Sequence, residues 1–297
     1  MSEKLIKNKI VFFINPISGK KKKEHIVDLI KRYFARTNKD FEIIYTRFPG
    51  DAHQQVKDKY AQGVKRFVAV GGDGTVNEVA SAIVNTDAIL GIIPVGSGNG
   101  LARHLKIPLN PKKAIQLIVK GTTMQMDYGQ INDKLFFCTT GVGFDAHIGH
   151  VFSTTKGRGF INYIKATITE FIRYKPTHYE LKINNKVFYR DAFLITVANA
   201  SQYGNNAYIA PKAIVTDGLM EVTVMKPFPV IAAPVMGARL FLKNIHKSKY
   251  VETFDCSELT IKQDNPSIIH FDGEPGEMDQ ELKIKIIPKG LNIFANG

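Results

Sequence analysis

Between Ile10 and about Lys120, short apolar runs alternate with stretches of helical periodicity. The runs 10–14, 41–45, 67–70 and 89–93 are rich in Ile, Val and Phe and are closed by Gly, Pro or Asn, so they predict strands. The gaps predict helices, best marked where Ile26, Leu29, Ile30, Tyr33 and Phe34 recur at i, i+3, i+4, i+7 and i+8 with polar residues between them. Strands alternating with helices predict βα units around a mostly parallel sheet. After Gly121 the pattern changes to short β-type runs at 135–139, 179–183, 192–198, 220–224, 258–261 and 282–287, interrupted by helical candidates at 159–174 and 230–243. The expected fold class is therefore an α/β N-terminal domain with a mostly parallel sheet, residues 1–125, followed by a β-rich domain, residues 126–287. Residues 288–297 are a candidate to rejoin the first domain.

Composition adds little to fold and more to partners. The 297 residues are 44% hydrophobic and 23% charged, enough apolar material for a core without disulfides or structural metal. Lys and Arg number 40 against 27 Asp and Glu, a formal charge of +13, which favours anionic partners: nucleotides, nucleic acids or acidic membrane surfaces. Nucleic acid has no support beyond charge, since no aromatic-basic motif occurs. Cys138 and Cys256 lack thiol or His neighbours at zinc-ligand spacing, and a reducing, cytoplasmic compartment is expected. No apolar h-region follows the N-terminal lysines, so no signal peptide is expected. The longest apolar stretch, 227–242, contains three prolines and Arg239 and falls short of the about 20 residues of a spanning helix. Membrane contact would be peripheral, at an inner membrane face. Its basic candidates are Lys20 to Lys23, which otherwise read as a solvated run, Lys156 with Arg158, and 239–249.

Three glycine-rich turns in the first half follow predicted strands: Asn15-Pro16-Ile17-Ser18-Gly19, Gly71-Gly72-Asp73-Gly74-Thr75 and Gly96-Ser97-Gly98-Asn99-Gly100. Unsatisfied N–H groups at a helix start, approached closely where there is no Cβ, form an anion site. In a parallel sheet all three turns would lie at the carboxyl ends of strands and converge on one crevice. Plain strand-to-helix connections are the alternative. Asp73 favours the site, because a carboxylate in a phosphate-type loop is unfavourable unless a metal ion or proton transfer uses it, which suggests phosphates with Mg²⁺. The Walker pattern is absent, and Gly141-Val142-Gly143-Phe144-Asp145-Ala146 imitates part of a dinucleotide fingerprint but reads as a turn in the β-rich domain. Asp217-Gly218 and Asp272-Gly273 read as hairpin signals, the latter putting the carboxylates of Asp272 and Glu274 on one turn.

The segment Gly71-Gly72-Asp73-Gly74-Thr75-Val76-Asn77-Glu78 resembles the signature of the diacylglycerol kinase catalytic domain family, which includes sphingosine kinases and soluble bacterial lipid kinases. Asn15-Pro16-x-Ser18-Gly19, Pro94-x-Gly96-Ser97-Gly98-Asn99, Ala210-Pro211-Lys212-Ala213 leading to Asp217-Gly218-Leu219-Met220-Glu221-Val222, and Phe271-Asp272-Gly273-Glu274 agree with it in order. Gly100 and Tyr203-Gly204-Asn205-Asn206 depart from common bacterial versions.

The resemblance implies a fold like that of NAD kinases and phosphofructokinases, with a cleft between two domains. It also implies an ATP- and Mg²⁺-dependent phosphotransferase of phospholipid biosynthesis whose acceptor is a lipid hydroxyl. ATP would contact Asn15, Pro16, Ile17, Ser18 and Gly19, Thr46 after the second strand, Gly72, Asp73, Gly74, Thr75, Val76, Asn77 and Glu78, and Ser97. A structural Mg²⁺ would be held by the Asp217 carboxylate with the carbonyls of Ile214 and Leu219, hard-cation ligands. Glu274 would accept the hydroxyl proton, with Asp272 beside it, and Asp73 would lie near the catalytic metal. The rivals are a kinase of a soluble acceptor such as NAD, since the GGDGT element is shared with NAD kinases, and a catalytically silent lipid- or nucleotide-binding protein.

Overall fold

The computed structural model describes residues 8–19, 23–35, 37, 39–154, 160–184, 186–264, 267–278 and 280–296. The chain divides into two compact units, one of residues 1–126 with 289–297 and one of residues 127–288.

In the first unit β1 (Ile10–Ile14) pairs in parallel with β2 (Phe41–Tyr45) on one side and β3 (Arg66–Gly71) on the other, and β4 (Ile89–Pro94) continues the sheet beyond β3. The last residues of β16 (Glu281–Phe294) add a parallel fifth strand, Asn292 opposite Ile89, giving the order β2-β1-β3-β4-β16. All five residues of β1 are fully buried, as expected of a strand covered on both faces. Phe12 meets Phe34 of α1 (Glu24–Phe34) edge-on at 5.3 Å, and its neighbour Phe13, on the opposite face by strand alternation, meets Phe67 at 6.4 Å. α2 (Asp51–Ala61) packs against α3 (Asp73–Ser81), and α1 against α5 (Pro111–Lys120), with the short α4 (Gly100–His104) between α3 and α5 in sequence. Asn110 caps α5 through its side chain, Pro111 occupies the first turn, and Gly121 closes it in the left-handed conformation. With the order 2-1-3, chain direction across the sheet reverses between β1 and β3, the place where open α/β sheets bind ligands.

The second unit is a β-sandwich. One sheet is antiparallel: β12 (Val251–Cys256), β11 (Met220–Met225), β10 (Leu194–Ala198), β7 (Thr139–Gly143), β14 (Ser267–Phe271) and β15 (Glu274–Met278), in that order. The other is built on β9 (Lys186–Ala192), β8 (Thr177–Ile183), β13 (Glu258–Lys262) and the first part of β16, with β5 (Thr123–Ile131) and β6 (Lys134–Phe136) beyond. Tyr179, Leu181, Ile261 and Leu282 of the second sheet meet Val142, Ile195, Val222 and Ile269 of the first in one dry core. The other face of the six-stranded sheet is covered by α6 (Phe144–Thr154), α7 (Phe160–Arg173) and α8 (Ala233–Phe241), where Phe144 stacks on Phe193 at 4.5 Å and Met236 and Ile245 are buried.

Three local readings are corrected. The run 135–139 is two strands, β6 and β7, and the run 192–198 is divided between β9 and β10. Gly141 and Gly143 lie not in a turn but on β7, and a helix, α6, follows at Phe144. A Cβ on Gly141 would lie 2.4 Å from the Ile195 carbonyl and one on Gly143 2.7 Å from that of Phe193, so the glycines admit the neighbouring strand. The run 282–287 is the start of a strand reaching Phe294, long because it pairs first with β13 and then with β4.

Candidate functional site

Each glycine turn of the first unit leaves a parallel strand at its carboxyl end, and the three are tied together by direct contacts. Asn15, just after β1, donates through Nδ2 to Thr75 Oγ1 at 3.3 Å and accepts the Ile17 N–H on Oδ1 at 3.0 Å, which curls the first loop. A Cβ on Gly19 would overlap the Val95 carbonyl, and one on Gly96 would lie 2.4 Å from Gly72 Cα, so these glycines permit loop-to-loop approach. Asn99, left-handed at φ 53°, clasps Gly96 by accepting its N–H and donating to its carbonyl. Asp73 Oδ1 accepts the Gly100 N–H at 2.8 Å, joining the second loop to the third. That contact gives the Asp73 carboxylate a partner within the chain besides the metal or proton transfer that its sequence context suggested.

The N-cap of α3, Gly72, has no side chain with which to cap the helix, and the first internal bond runs from Val76 N–H to the Gly72 carbonyl. The N–H groups of the first turn, at Asp73, Gly74 and Thr75, therefore lie at the positive end of the helix, at the strand-order reversal. Thr46 reaches the same edge, its N–H donating to the Ile14 carbonyl at 2.9 Å. Ser18 bonds back to the Asn15 carbonyl, Ile17 and Ser97 are exposed, and Pro16 lies between Asn15 and Ile17 in the first loop. Thr75 and Val76 are buried, and Glu78 accepts the Ala52 N–H at the start of α2 at 3.2 Å, so these side chains have work inside the fold; Asn77 stands between them on α3.

Lys23 departs from the expected solvated run. It is buried, its ammonium donates to the Ser18 carbonyl, and desolvation lowers its pKa. Because α1 starts one residue later, the fold turns Lys23 back onto the first loop. Lys20 to Lys22, Lys156 and Arg158 lie outside the described residues.

In the second unit Asp272 and Gly273, at φ 50° and 85°, form the two-residue turn between β14 and β15, with Phe271 opposite Glu274. The Asp272 carboxylate accepts the backbone N–H groups of Phe137, Cys138 and Thr139 at 2.7 to 3.2 Å, and its own N–H donates to the Thr139 carbonyl. Asp272 thus anchors the hairpin, while Glu274 is exposed on the strand that leaves it. Asp217-Gly218 joins no hairpin: it precedes β11, Asp217 accepts the Leu219 N–H, and Gly218 N–H donates at 2.7 Å to the fully buried Asp127. Ile214 and Leu219 flank this turn and are exposed. The Asp217 carboxylate is exposed, and among the described residues no group of three or more His, Cys, Asp or Glu side chains is placed to hold a metal ion. Glu221, in the segment that follows, accepts the Lys212 N–H at 3.0 Å, and burial raises its pKa.

Sequence reasoning missed a buried polar cluster behind the hairpin. Asp145, at the start of α6, accepts through Oδ2 from Thr196 at 2.7 Å and Tyr203 at 2.9 Å, and pairs with His270 Nε2 at 3.1 Å. Its Oδ1 takes the Ala146 N–H, placing a carboxylate where the helix dipole favours one. His270 lies two residues before Asp272, and Thr140 donates to its carbonyl at 2.7 Å. Nothing local in the sequence signals a contact between residues 145 and 270.

Residues 9–131 match the family described as diacylglycerol kinase catalytic domain, and residues 138–295 match the YegS C-terminal NAD kinase beta sandwich-like domain. A relative from Serratia proteamaculans (strain 568), named "Probable lipid kinase YegS-like", is 28% identical over 93% of this chain and 91% of its own length. One of the same name from Yersinia pestis (strain Pestoides F) is 30% identical, covering 82% of each chain. A crystal structure described as a diacylglycerol kinase from Bacillus anthracis str. Sterne shares the fold with a TM-score of 0.77 at 21% identity over 97% of both chains, and another solved chain from that organism reaches 0.83 at 23% over the same share. With both domain matches in order and relatives aligned along most of its length, the chain belongs to the YegS-like family of lipid kinases.

Proposed function

We propose that the protein transfers the γ-phosphate of ATP to a hydroxyl of diacylglycerol or a related hydroxylated lipid. The observation that carries this reading is the meeting of three glycine loops at the carboxyl edge of the parallel sheet, with an uncapped helix start facing that edge. Such a surface binds phosphates through backbone donors. Asn15 to Gly19, Thr46, Gly72 to Glu78 and Ser97 are the residues assigned to ATP. Lys23, held against Ser18, adds positive charge beside the first loop.

Phosphoryl transfer asks the protein chiefly to align two oxygens and to stabilise charge. Mg²⁺ bound with ATP would neutralise charge on the phosphates near Asp73, and a structural Mg²⁺ would be held by Asp217 with the carbonyls of Ile214 and Leu219. Glu274 is the proposed acceptor of the lipid hydroxyl proton. Asp272 already bonds three backbone N–H groups, so its proposed part is to hold the turn that presents Glu274. The protein would act in the cytoplasm, touching an anionic membrane surface peripherally to reach its acceptor, consistent with its charge of +13.

The test is transfer of radiolabelled γ-phosphate, with Mg²⁺, to diacylglycerol, sphingosine, phosphatidylglycerol and a total lipid extract, with NAD as control acceptor. Label in a lipid names the substrate. Label in NADP alone, or ATP binding with no transfer to any acceptor, overturns the reading.

A further inference from the structure

The segment from Pro227 to Lys249 carries an apolar surface that the proposed chemistry does not use. A 3₁₀ turn, Val230–Ala232, leads into α8, and Val230, Ile231, Val235 and Leu242 are 57, 87, 56 and 68% exposed. The inner side of the same segment is well packed: Met236 is buried, and Leu240 packs against the cluster around Phe193 and Met225. Large apolar side chains are thus segregated to the outer side of an ordered helix that has its own buried side, an arrangement that marks an interaction surface.

The charges along the segment itself are of one sign. No acidic residue occurs between Pro227 and Val251, whereas Arg239, Lys243, Lys247 and Lys249 do. Lys243 lies over the Tyr208 ring at 4.4 Å and Lys249 over that of Tyr250 at 5.1 Å, which places cations beside aromatic rings. The nearest acid in sequence, Glu252, is engaged by Arg190 and Lys226. Among the described residues no helix is long and apolar enough to cross a membrane.

We propose that the Val230–Leu242 segment lies in the surface of an anionic bilayer, with Ile231, Val235 and Leu242 entering the acyl boundary and the neighbouring Lys and Arg meeting lipid phosphates. Apolar side chains rimmed by cations with no acid among them match an anionic lipid surface. A second copy of the chain fits poorly, because a self-complementary contact would bring these cations against each other. This surface deepens the peripheral membrane contact proposed above and rests on it.

The experiment is co-sedimentation with vesicles of phosphatidylcholine alone or mixed with phosphatidylglycerol, at low and high salt. The wild type is compared with an Ile231→Asp, Leu242→Asp variant and with a Lys243→Glu, Lys247→Glu variant, whose exposed changes leave the core intact. The expected result is salt-sensitive binding to phosphatidylglycerol vesicles, weakened about tenfold or more in each variant. Wild-type binding that both variants retain overturns the docking surface and leaves peripheral contact standing. Failure of the wild type to bind any vesicle overturns both. Concentration-dependent dimers in sedimentation velocity that the apolar variant abolishes, with vesicle binding unchanged, assign the surface to a second copy instead.

Discussion

Gly72 and Gly96 approach so closely that a Cβ on Gly96 would lie 2.4 Å from Gly72 Cα, closer than carbon atoms can pack without backbone movement. Gly96→Ala must therefore push the second and third loops apart. The expected cost is about 1–3 kcal/mol of stability, typical of overpacking, together with a raised KM for ATP. Urea unfolding and steady-state kinetics check it; an unchanged midpoint with unchanged KM would show that the two loops can separate freely.

Glu274 and Asp272 share one hairpin but differ in surroundings, so their variants should fail differently. Glu274→Gln is expected to lower kcat by about 10²–10⁴ with little change in Tm, because the side chain is exposed and its loss would remove the proposed proton acceptor. Asp272→Ala strips the acceptor from three backbone N–H groups and should cost about 3 kcal/mol. Thermal unfolding beside kinetics separates the two, and normal turnover in Glu274→Gln would remove that residue from the mechanism.

His104 provides a pH dependence in the first unit. Desolvation, helped by Lys106, lowers its pKa from 6.5 to about 4, so the ring is neutral in the fold at pH values where the unfolded chain would protonate it. The stability that this neutral ring allows is complete above 6.5 and is lost as pH falls toward 4, by about 3 kcal/mol at most. Burial lowers His53 in the same direction. His104→Gln should flatten the decline of stability between pH 6.5 and 5, while the buried Glu221, whose raised pKa acts in the opposite sense, is common to wild type and variant. Equal slopes for wild type and variant in denaturant titrations would dismiss the effect.

Asp145→Ala removes the common acceptor of Thr196 and His270, which are buried, and of the half-buried Tyr203. Thr196 and Tyr203 keep the bond between their hydroxyls, whereas His270 Nε2 loses this acceptor in a buried site, so the change should cost about 1–3 kcal/mol, concentrated in the second unit. Hydrogen exchange at β14 and α6 is the local readout, and unaltered protection there would mean that the cluster contributes no stability.

Features with local causes could be read from the sequence. The four strands β1 to β4 are continuous β-branched and aromatic runs with turn residues at their ends, and the Asp272-Gly273 pair marks a hairpin because both residues tolerate positive φ. The glycine loops announced themselves through spacing and placement after strands. The burial of Lys23 did not, because four consecutive lysines look solvated until a helix start turns one of them onto Ser18. α6 was missed because its first residues follow glycines that read as a turn, and the use of those glycines appears only when β10 lies against β7.

The sequence by itself determined the βα alternation, the glycine turns, the ordered motifs that resemble a lipid kinase and the basic, apolar character of the segment around α8. Those depend on periodicity and turn chemistry within a few residues. Tertiary structure decided which carboxylates are anchors and which remain exposed. Asp272 is fixed by residues 137 to 139, Gly218 by Asp127, and His270 by Asp145, contacts spanning from 91 to 135 positions in the chain. Pairings at such separations leave no local pattern, because they form only when distant strands are brought into register and their polar groups must find partners out of water.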